Sequence, residues 1–335
     1  MKNNPETFLY RGAIENLNKI EFESPLVFTG KNSFEKIKPH VEKHLKNPFY
    51  YNNFSTNPKI EEVNEAINLI DFNFDIIIAI GGGSVIDFAK IFKYKKAKSK
   101  KLIAIPTTCG TGSEATQFAV YYENKIKHSL DEKEILPDFV IIDSQFVENN
   151  PHYLKCSTAL DAYCQAIESY FACNSTIESR QYAKKAIKLC KDNIVEYINS
   201  PNEKNSYNMC LASNLAGKAI NISRTTLAHA MSYSITTNYD IPHGHAVALN
   251  IAKLMEYNKN VDEKSINDKR GVDFVKARMD EIYSLIGITD ALDYFSDLFE
   301  KINLENKTFE VSYIDPQRAK NNPRKFILEE YKKIN

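Results

Sequence analysis

The stretch Asp75-Ile76-Ile77-Ile78-Ala79-Ile80-Gly81-Gly82-Gly83-Ser84 decides the fold. A continuous apolar run of this length reads as a strand covered on both faces, the habit of parallel sheets. Three glycines and a serine end it, and Val85 to Tyr94 continues as a helix. Without side chains, the glycines let backbone N–H groups approach a phosphate, and a helix start adds partial positive charge. A tight strand–helix turn can use glycine on structural grounds alone, but three in a row exceed that need. The turn matches neither GxGxxG nor a P-loop, so these motifs do not name the ligand. Asp87, one turn into the helix, is placed to accept from a ligand hydroxyl or amide.

The neighbouring segments repeat the pattern. Pro25–Thr29, Asp75–Ile80, Lys101–Pro106 and Phe139–Asp143 read as buried strands, with Phe49–Phe54 as a further strand or its approach. Helices are expected over Ser33–Leu45 and from Asn57-Pro58 through Ile70, where Ile60, Val63, Ala66, Ile67 and Ile70 keep helical spacing. Alternating strands and helices predict a Rossmann-like α/β domain over 1–148, a parallel sheet wound on both faces. A second turn, Thr107-Thr108-Cys109-Gly110-Thr111-Gly112-Ser113, follows the next strand. Ligands of open α/β sheets bind beyond the strands' carboxyl ends, so the two turns are expected to share one crevice. Local hydroxyl–backbone turns are the structural alternative for these threonines.

From about residue 149 strand-like runs give way to amphipathic segments: 156–172, 177–198, 205–221, 225–237, 243–257, 272–286 and 289–302. An all-α second domain over 149–335 is therefore predicted. Residues 258–272 and the tail from about 305 are polar and rich in Lys and Asn, and are expected to be surface excursions.

Composition excludes several functions. The 335 residues carry 43 basic and 43 acidic side chains, a balance that does not point to a nucleic-acid partner. No apolar run approaches the roughly 20 residues a membrane span needs. The six cysteines show no CxxC pair and read as small buried hydrophobes of a cytoplasmic protein.

Three of the seven histidines, His229, His243 and His245, fall within one 17-residue stretch. A continuous helix would hold His229 and His243 roughly 21 Å apart at about 1.5 Å per residue, so the chain must turn back. Asn238 to Pro242 supplies the break. Asp161, on an earlier helix, could join these two imidazoles around Fe²⁺ or Zn²⁺, leaving a coordination position open for substrate. Gln165 and Glu168 follow Asp161 at helical spacing. Taken singly, the histidines could be helix caps and Asp161 a carboxylate serving a helix dipole. His245, two residues past His243, points away from it and is the weaker ligand candidate.

Gly81–Asp87, Pro106–Glu114, Ala159–Glu168 and Ala228-His229 with Pro242-His243-Gly244 resemble, in order, the motifs of iron-containing (group III) alcohol dehydrogenases. The resemblance spans nearly the whole chain. It implies a metal and a nicotinamide meeting between an N-terminal dinucleotide domain and a helical domain. It places Asp161, His229 and His243 on the metal ligands, with Gln165 where the family usually has a histidine. Tyr233 stands where a second histidine often lies near the nicotinamide. Gly81, Gly82, Gly83, Ser84, Asp87, Thr107, Thr108, Thr111, Lys127 and Asn57 fall on cofactor positions. Gly30 appears where NAD-preferring relatives carry an acid, so room for a 2′-phosphate, aided by Lys31, makes NADPH at least as good as NADH.

Within that family, segments 115–122, 127–130, 217–226 and 321–323 look like those of phosphonoacetaldehyde reductases. This implies a small anionic aldehyde, reduced to 2-hydroxyethylphosphonate. Arg224, expected at the start of the helix bearing His229, is then the first candidate to grip the phosphonate, with Lys218, and Arg318 or Arg324 in the tail, as sources of a second positive group. The competing readings are a general short-chain alcohol dehydrogenase, a metal-dependent lyase, or a metal-free binding protein. A homodimer is compatible with any of them.

Overall fold

The computed structural model describes residues 4–124 and 126–334. It divides into two compact units, one ending at Asn150 and the other beginning at Pro151.

The first unit is built on a six-stranded parallel sheet. Its strands are β1 (Glu6–Tyr10), β2 (Leu26–Thr29), β3 (Phe49–Tyr51), β4 (Ile76–Gly81), β5 (Lys101–Pro106) and, after a hairpin, β8 (Phe139–Asp143), in the order β1-β8-β5-β4-β2-β3. β4 is central and every residue of it is buried, as its unbroken apolar run requires. Side chains alternate between the faces. Val27, Ile76, Ile78, Ile80, Ile103 and Ile105 pack with Phe34, Ile37 and Val41 of α1 (Lys31–Val41). Leu26, Phe28, Ile77, Ala79, Leu102 and Ala104 meet α2 (Ile60–Leu69) and α3 (Gly83–Lys96) on the other face. Each fully buried Ile or Leu side chain contributes about 1.5–3 kcal/mol.

Three features depart from the sequence expectation. β1 was not expected; it is an edge strand, exposed at both ends, and pairs with β8 from Glu6↔Phe139 to Tyr10↔Asp143. The Ala115–Leu130 region, read only for its motifs, forms an antiparallel hairpin of β6 (Phe118–Glu123) and β7 (Ile126–Asp131). The expected helix to Leu45 ends at Val41 and passes into a 3₁₀ turn.

After a one-turn α4 (Gln145–Glu148), the second unit is helical, as expected. It comprises α5 (His152–Phe171), α6 (Ile177–Asn199), α7 (Glu203–Ser223), α8 (Leu227–Tyr239), α9 (His243–Lys259), α10 (Val272–Ile286), α11 (Ala291–Lys301) and the short α12 (Pro316–Lys320) and α13 (Leu328–Lys332). The polar segments expected on the surface are partly internal. Asn322 and Asn258 are fully buried and exchange two amide hydrogen bonds, of 2.8 and 3.1 Å. Arg324 is buried too, donating to the Tyr257 carbonyl and pairing with Glu330. Polar side chains can be buried when partners satisfy them, which composition alone does not reveal. Five cysteines are buried and Cys173 is half-buried; all six are free thiols. Among the described residues no helix is long and apolar enough to cross a membrane.

Candidate metal and cofactor sites

α8 ends at Tyr239, Asp240 turns the chain in a left-handed conformation (φ 56°), and Pro242 caps α9. This reversal brings His243, on the first turn of α9, beside His229 on the first turn of α8, with ring centroids 5.4 Å apart. Gly244 permits the approach to α5. A Cβ there would stand 1.9 Å from the Ser157 carbonyl oxygen and 2.7 Å from Asp161 Cβ.

Asp161 Oδ1 lies 3.4 Å from His229 Nε2 and 3.9 Å from His243 Nε2. One donor atom from each residue falls within 4.8 Å of the others, so the three could hold a metal ion. Two donors each about 2.0–2.1 Å from a tetrahedral ion stand roughly 3.3–3.4 Å apart, the spacing of the first pair. Asp161 Oδ1, His229 Nε2 and Gln165 Oε1 are all buried without a hydrogen-bond partner. Orphaned buried polar atoms are costly, and a cation between Asp161 and His229 would satisfy the first two. The residues present thus fit a divalent ion.

Neighbouring groups orient the imidazoles. His229 Nδ1 meets Glu168 Oε2, so Nδ1 carries the proton and Nε2 presents its lone pair to the cluster. Glu168 Oε1 accepts from Thr226 Oγ1 (2.6 Å) and the Ala228 amide (2.9 Å), tying the carboxylate to the start of α8. For His243 the orienting group is Ser232. Its hydroxyl donates its one proton to the His229 carbonyl (2.8 Å) and can only accept from His243 Nδ1 at 3.2 Å, freeing Nε2. Burial raises the pKa of Asp161, but His229 and His243 hold it below the usual carboxylate value. Burial lowers that of His229, but Glu168 and Asp161 on its two sides raise it overall.

The other sequence candidates in this unit fare differently. His245 points elsewhere, as expected: Nε2 donates to the Glu305 carbonyl (2.8 Å) and Nδ1 accepts from the Tyr153 hydroxyl (3.0 Å). Tyr233 stacks on His243, with centroids 6.0 Å apart at 25°. Arg224 is corrected. It does not begin α8 but caps the end of α7 with φ 63°, and its guanidinium donates to the Ile220 and Asn221 carbonyls (3.4 and 2.7 Å). A cation at a helix C-terminus complements the dipole and the unsatisfied carbonyls. Lys218 is half-buried on α7.

In the first unit the two glycine-rich turns do touch. A Cβ at Gly83 would lie 2.5 Å from Thr111 Oγ1, and one at Gly82 3.4 Å from Thr108 Oγ1. The Thr107 amide donates to the Gly81 carbonyl (3.1 Å), and the buried Thr107 hydroxyl has no partner. Ser84 donates to the Thr56 carbonyl, next to the exposed Asn57. Asp87 does more than await a ligand: its oxygens accept from Ser113 Oγ (2.5 Å) and the Val120 amide (3.0 Å). Burial raises its pKa, opposed by Lys90 and, more weakly, by Lys127. Lys90 was not expected as a site residue. It is fully buried and donates to the carbonyls of Ser113, Thr116 and Phe118, locking the exit of the second turn, and burial lowers its pKa to about 8. The open space expected at Gly30 is partly filled, because a Cβ there would lie 2.6 Å from Ser33 Oγ. A cavity of about 260 Å³ is lined by Arg11, Ser33, Lys36, His40 and Thr107, among others.

Comparison with known proteins agrees with this chemistry. Residues 5–144 match the iron-containing alcohol dehydrogenase family model, and 155–312 match the C-terminal model of the Fe-containing alcohol dehydrogenase family. The chain is 30% identical to a 4-hydroxybutyrate dehydrogenase of Clostridium kluyveri, over 73% of this chain and 70% of that protein. It is 25% identical to a phosphonoacetaldehyde reductase of Streptomyces viridochromogenes, over 76% and 74% of the two chains. The crystal structure of a sulfoacetaldehyde reductase from Bifidobacterium kashiwanohense in complex with NAD⁺ superposes with a TM-score of 0.83 at 24% identity, covering 98% of this chain and 95% of that one.

Proposed function

The chain belongs to the iron-containing alcohol dehydrogenase family, an NAD(P)-linked oxidoreductase, and on that premise we propose that it reduces a short anionic aldehyde, phosphonoacetaldehyde first among them, to the primary alcohol. The observation that carries the metal-dependent part is the convergence of donor atoms from Asp161, His229 and His243, two of them, Asp161 Oδ1 and His229 Nε2, buried without a hydrogen-bond partner. Asp161, His229 and His243 would hold a divalent iron or zinc, with Gln165 as a weaker fourth donor. A bound ion of this kind polarises a carbonyl, and a reduced nicotinamide supplies hydride.

The remaining work falls to the protein. Glu168 and Ser232 keep both Nδ1 protons in place, so the Nε2 lone pairs face one point. The Tyr233 hydroxyl, on the ring stacked against His243, is the group proposed to hold the proton that completes the alcohol. Gly81–Ser84 and Thr107–Thr111 would receive the dinucleotide phosphates on backbone N–H groups. Ser33 and Lys36 around the neighbouring cavity, where Arg11 is already paired with Glu148, support room and charge for an additional phosphate, hence NADPH at least as good as NADH. The anionic end of the substrate is supported by the two relatives' names, which specify a carboxylate and a phosphonate.

The test is loss of reduced-cofactor absorbance with phosphonoacetaldehyde, succinic semialdehyde and propanal, with NADPH and NADH in turn. Chelation should abolish turnover, and Fe²⁺ or Zn²⁺ should restore it. Metal-independent turnover would remove the metal from the reaction, and a preference for propanal would return the reading to a general alcohol dehydrogenase.

A further inference from the structure

An anionic substrate needs a fixed cation near the metal ligands, and Arg224 is occupied with the end of α7. Arg318 lies differently. The Asp315 carboxylate caps the first turn of α12 by accepting from the Arg318 amide (2.8 Å). The Arg318 side chain runs back to α8, where Nη1 donates to Thr225 Oγ1 and the guanidinium carbon sits 5.4 Å from the centre of the Tyr233 ring. That ring stacks on His243. An unbroken series of contacts within the second unit therefore links a ligand imidazole to a guanidinium.

Two further observations bear on Arg318. Thr225 is buried, and the adjacent Thr226 hydroxyl is bound to Glu168, so the anchor is set by the same carboxylate that orients His229. Among the described residues no carboxylate pairs with Arg318, whereas Arg270 has Asp268, Arg278 has Glu281 and Arg324 has Glu330. A half-covered guanidinium held by a hydroxyl and an aromatic face retains N–H donors for an incoming anion.

We propose that Arg318 grips the anionic end of the substrate, a phosphonate, sulfonate or carboxylate, while the carbonyl end addresses the cluster of Asp161, His229 and His243. The Thr225 hydroxyl, which accepts from the guanidinium, turns its own proton toward the same anion. The tail beyond residue 305 thereby supplies a specificity residue. The proposal rests on the reading of that cluster as the carbonyl-activating centre.

The experiment compares wild type, Arg318→Ala, Arg318→Lys and Arg224→Ala in kcat/KM for phosphonoacetaldehyde and propanal. Calorimetry of 2-hydroxyethylphosphonate binding to each metal-loaded protein runs alongside. Loss of a charge-assisted clasp predicts about a 10- to 100-fold fall for the anionic aldehyde in Arg318→Ala, carried by KM, with propanal within about twofold. Lysine should rescue in part, since it keeps the charge but not the fork. Arg224→Ala should lower Tm and leave the ratio between the two aldehydes intact. Equal losses on both aldehydes, or phosphonate binding unchanged in Arg318→Ala and Arg318→Lys, would overturn the role of Arg318. Wild-type protein that binds the phosphonate through Arg318 yet reduces no aldehyde would instead overturn the functional reading.

Discussion

His229 Nδ1 and Glu168 Oε2 are hydrogen-bonded across 61 residues of chain, both side chains almost wholly buried. The contact fixes which imidazole nitrogen is left for the metal, and it joins α5 to the first turn of α8. Glu168→Gln keeps the shape and removes the charge. Outer partners of metal-bound histidines typically account for 10- to 100-fold in metal affinity. Metal content after dialysis against a weak chelator should fall accordingly in Glu168→Gln, while circular dichroism stays native. Full metal retention would show that Glu168 serves the helix start alone.

Gly244→Ala places a methyl group 1.9 Å from a backbone oxygen that cannot rotate away. α9 must lift from α5, carrying His243 away from Asp161. Overpacking costs typically about 1–3 kcal/mol, so Tm and metal stoichiometry should fall together. Unchanged metal content would mean that His243 is not needed for retention.

Gln165 lies one turn after Asp161 on α5, within hydrogen-bond reach of its carboxylate, and its Oε1 is buried and unpartnered. Gln165→His should slow metal loss to chelator, and Gln165→Ala should hasten it less than His243→Ala does. Imidazole is a stronger donor to Fe²⁺ or Zn²⁺ than a neutral amide oxygen. Chelator-challenge kinetics followed by residual activity rank the three variants, and faster loss from Gln165→His would place Gln165 outside the shell.

His245 is held neutral by burial, which lowers its pKa against the weaker opposing pull of the Glu305 carbonyl. The unfolded chain therefore binds this proton at a higher pH than the folded chain. Stability should fall as pH drops below the ordinary imidazole range, and continue falling until the depressed folded pKa is reached. Urea unfolding across this range should show a shallower slope in His245→Gln than in wild type. Parallel slopes would assign the acid sensitivity to other groups.

What the sequence determined by itself lies in short windows. The unbroken apolar run of β4, the glycines after it, and the alternation of strands with helices are local patterns, and they specify a parallel α/β sheet followed by helices. The break at Asn238–Pro242 is equally local, and it turns the chain back so that His229 and His243 can meet. The edge strand β1 escaped because its five residues are exposed at both ends and show no buried run. Tertiary packing decided the rest. Glu168 against His229, Gly244 against Ser157, Asn322 against Asn258 and Arg318 against Thr225 join residues 61 to 93 positions apart. Such pairs leave no periodic trace, because each depends on where two helices cross rather than on spacing within either. Arg224 shows this most directly. Its place in the sequence, five residues before a ligand histidine, suggested the substrate, while a left-handed backbone at the end of α7 turned its side chain onto the helix it terminates.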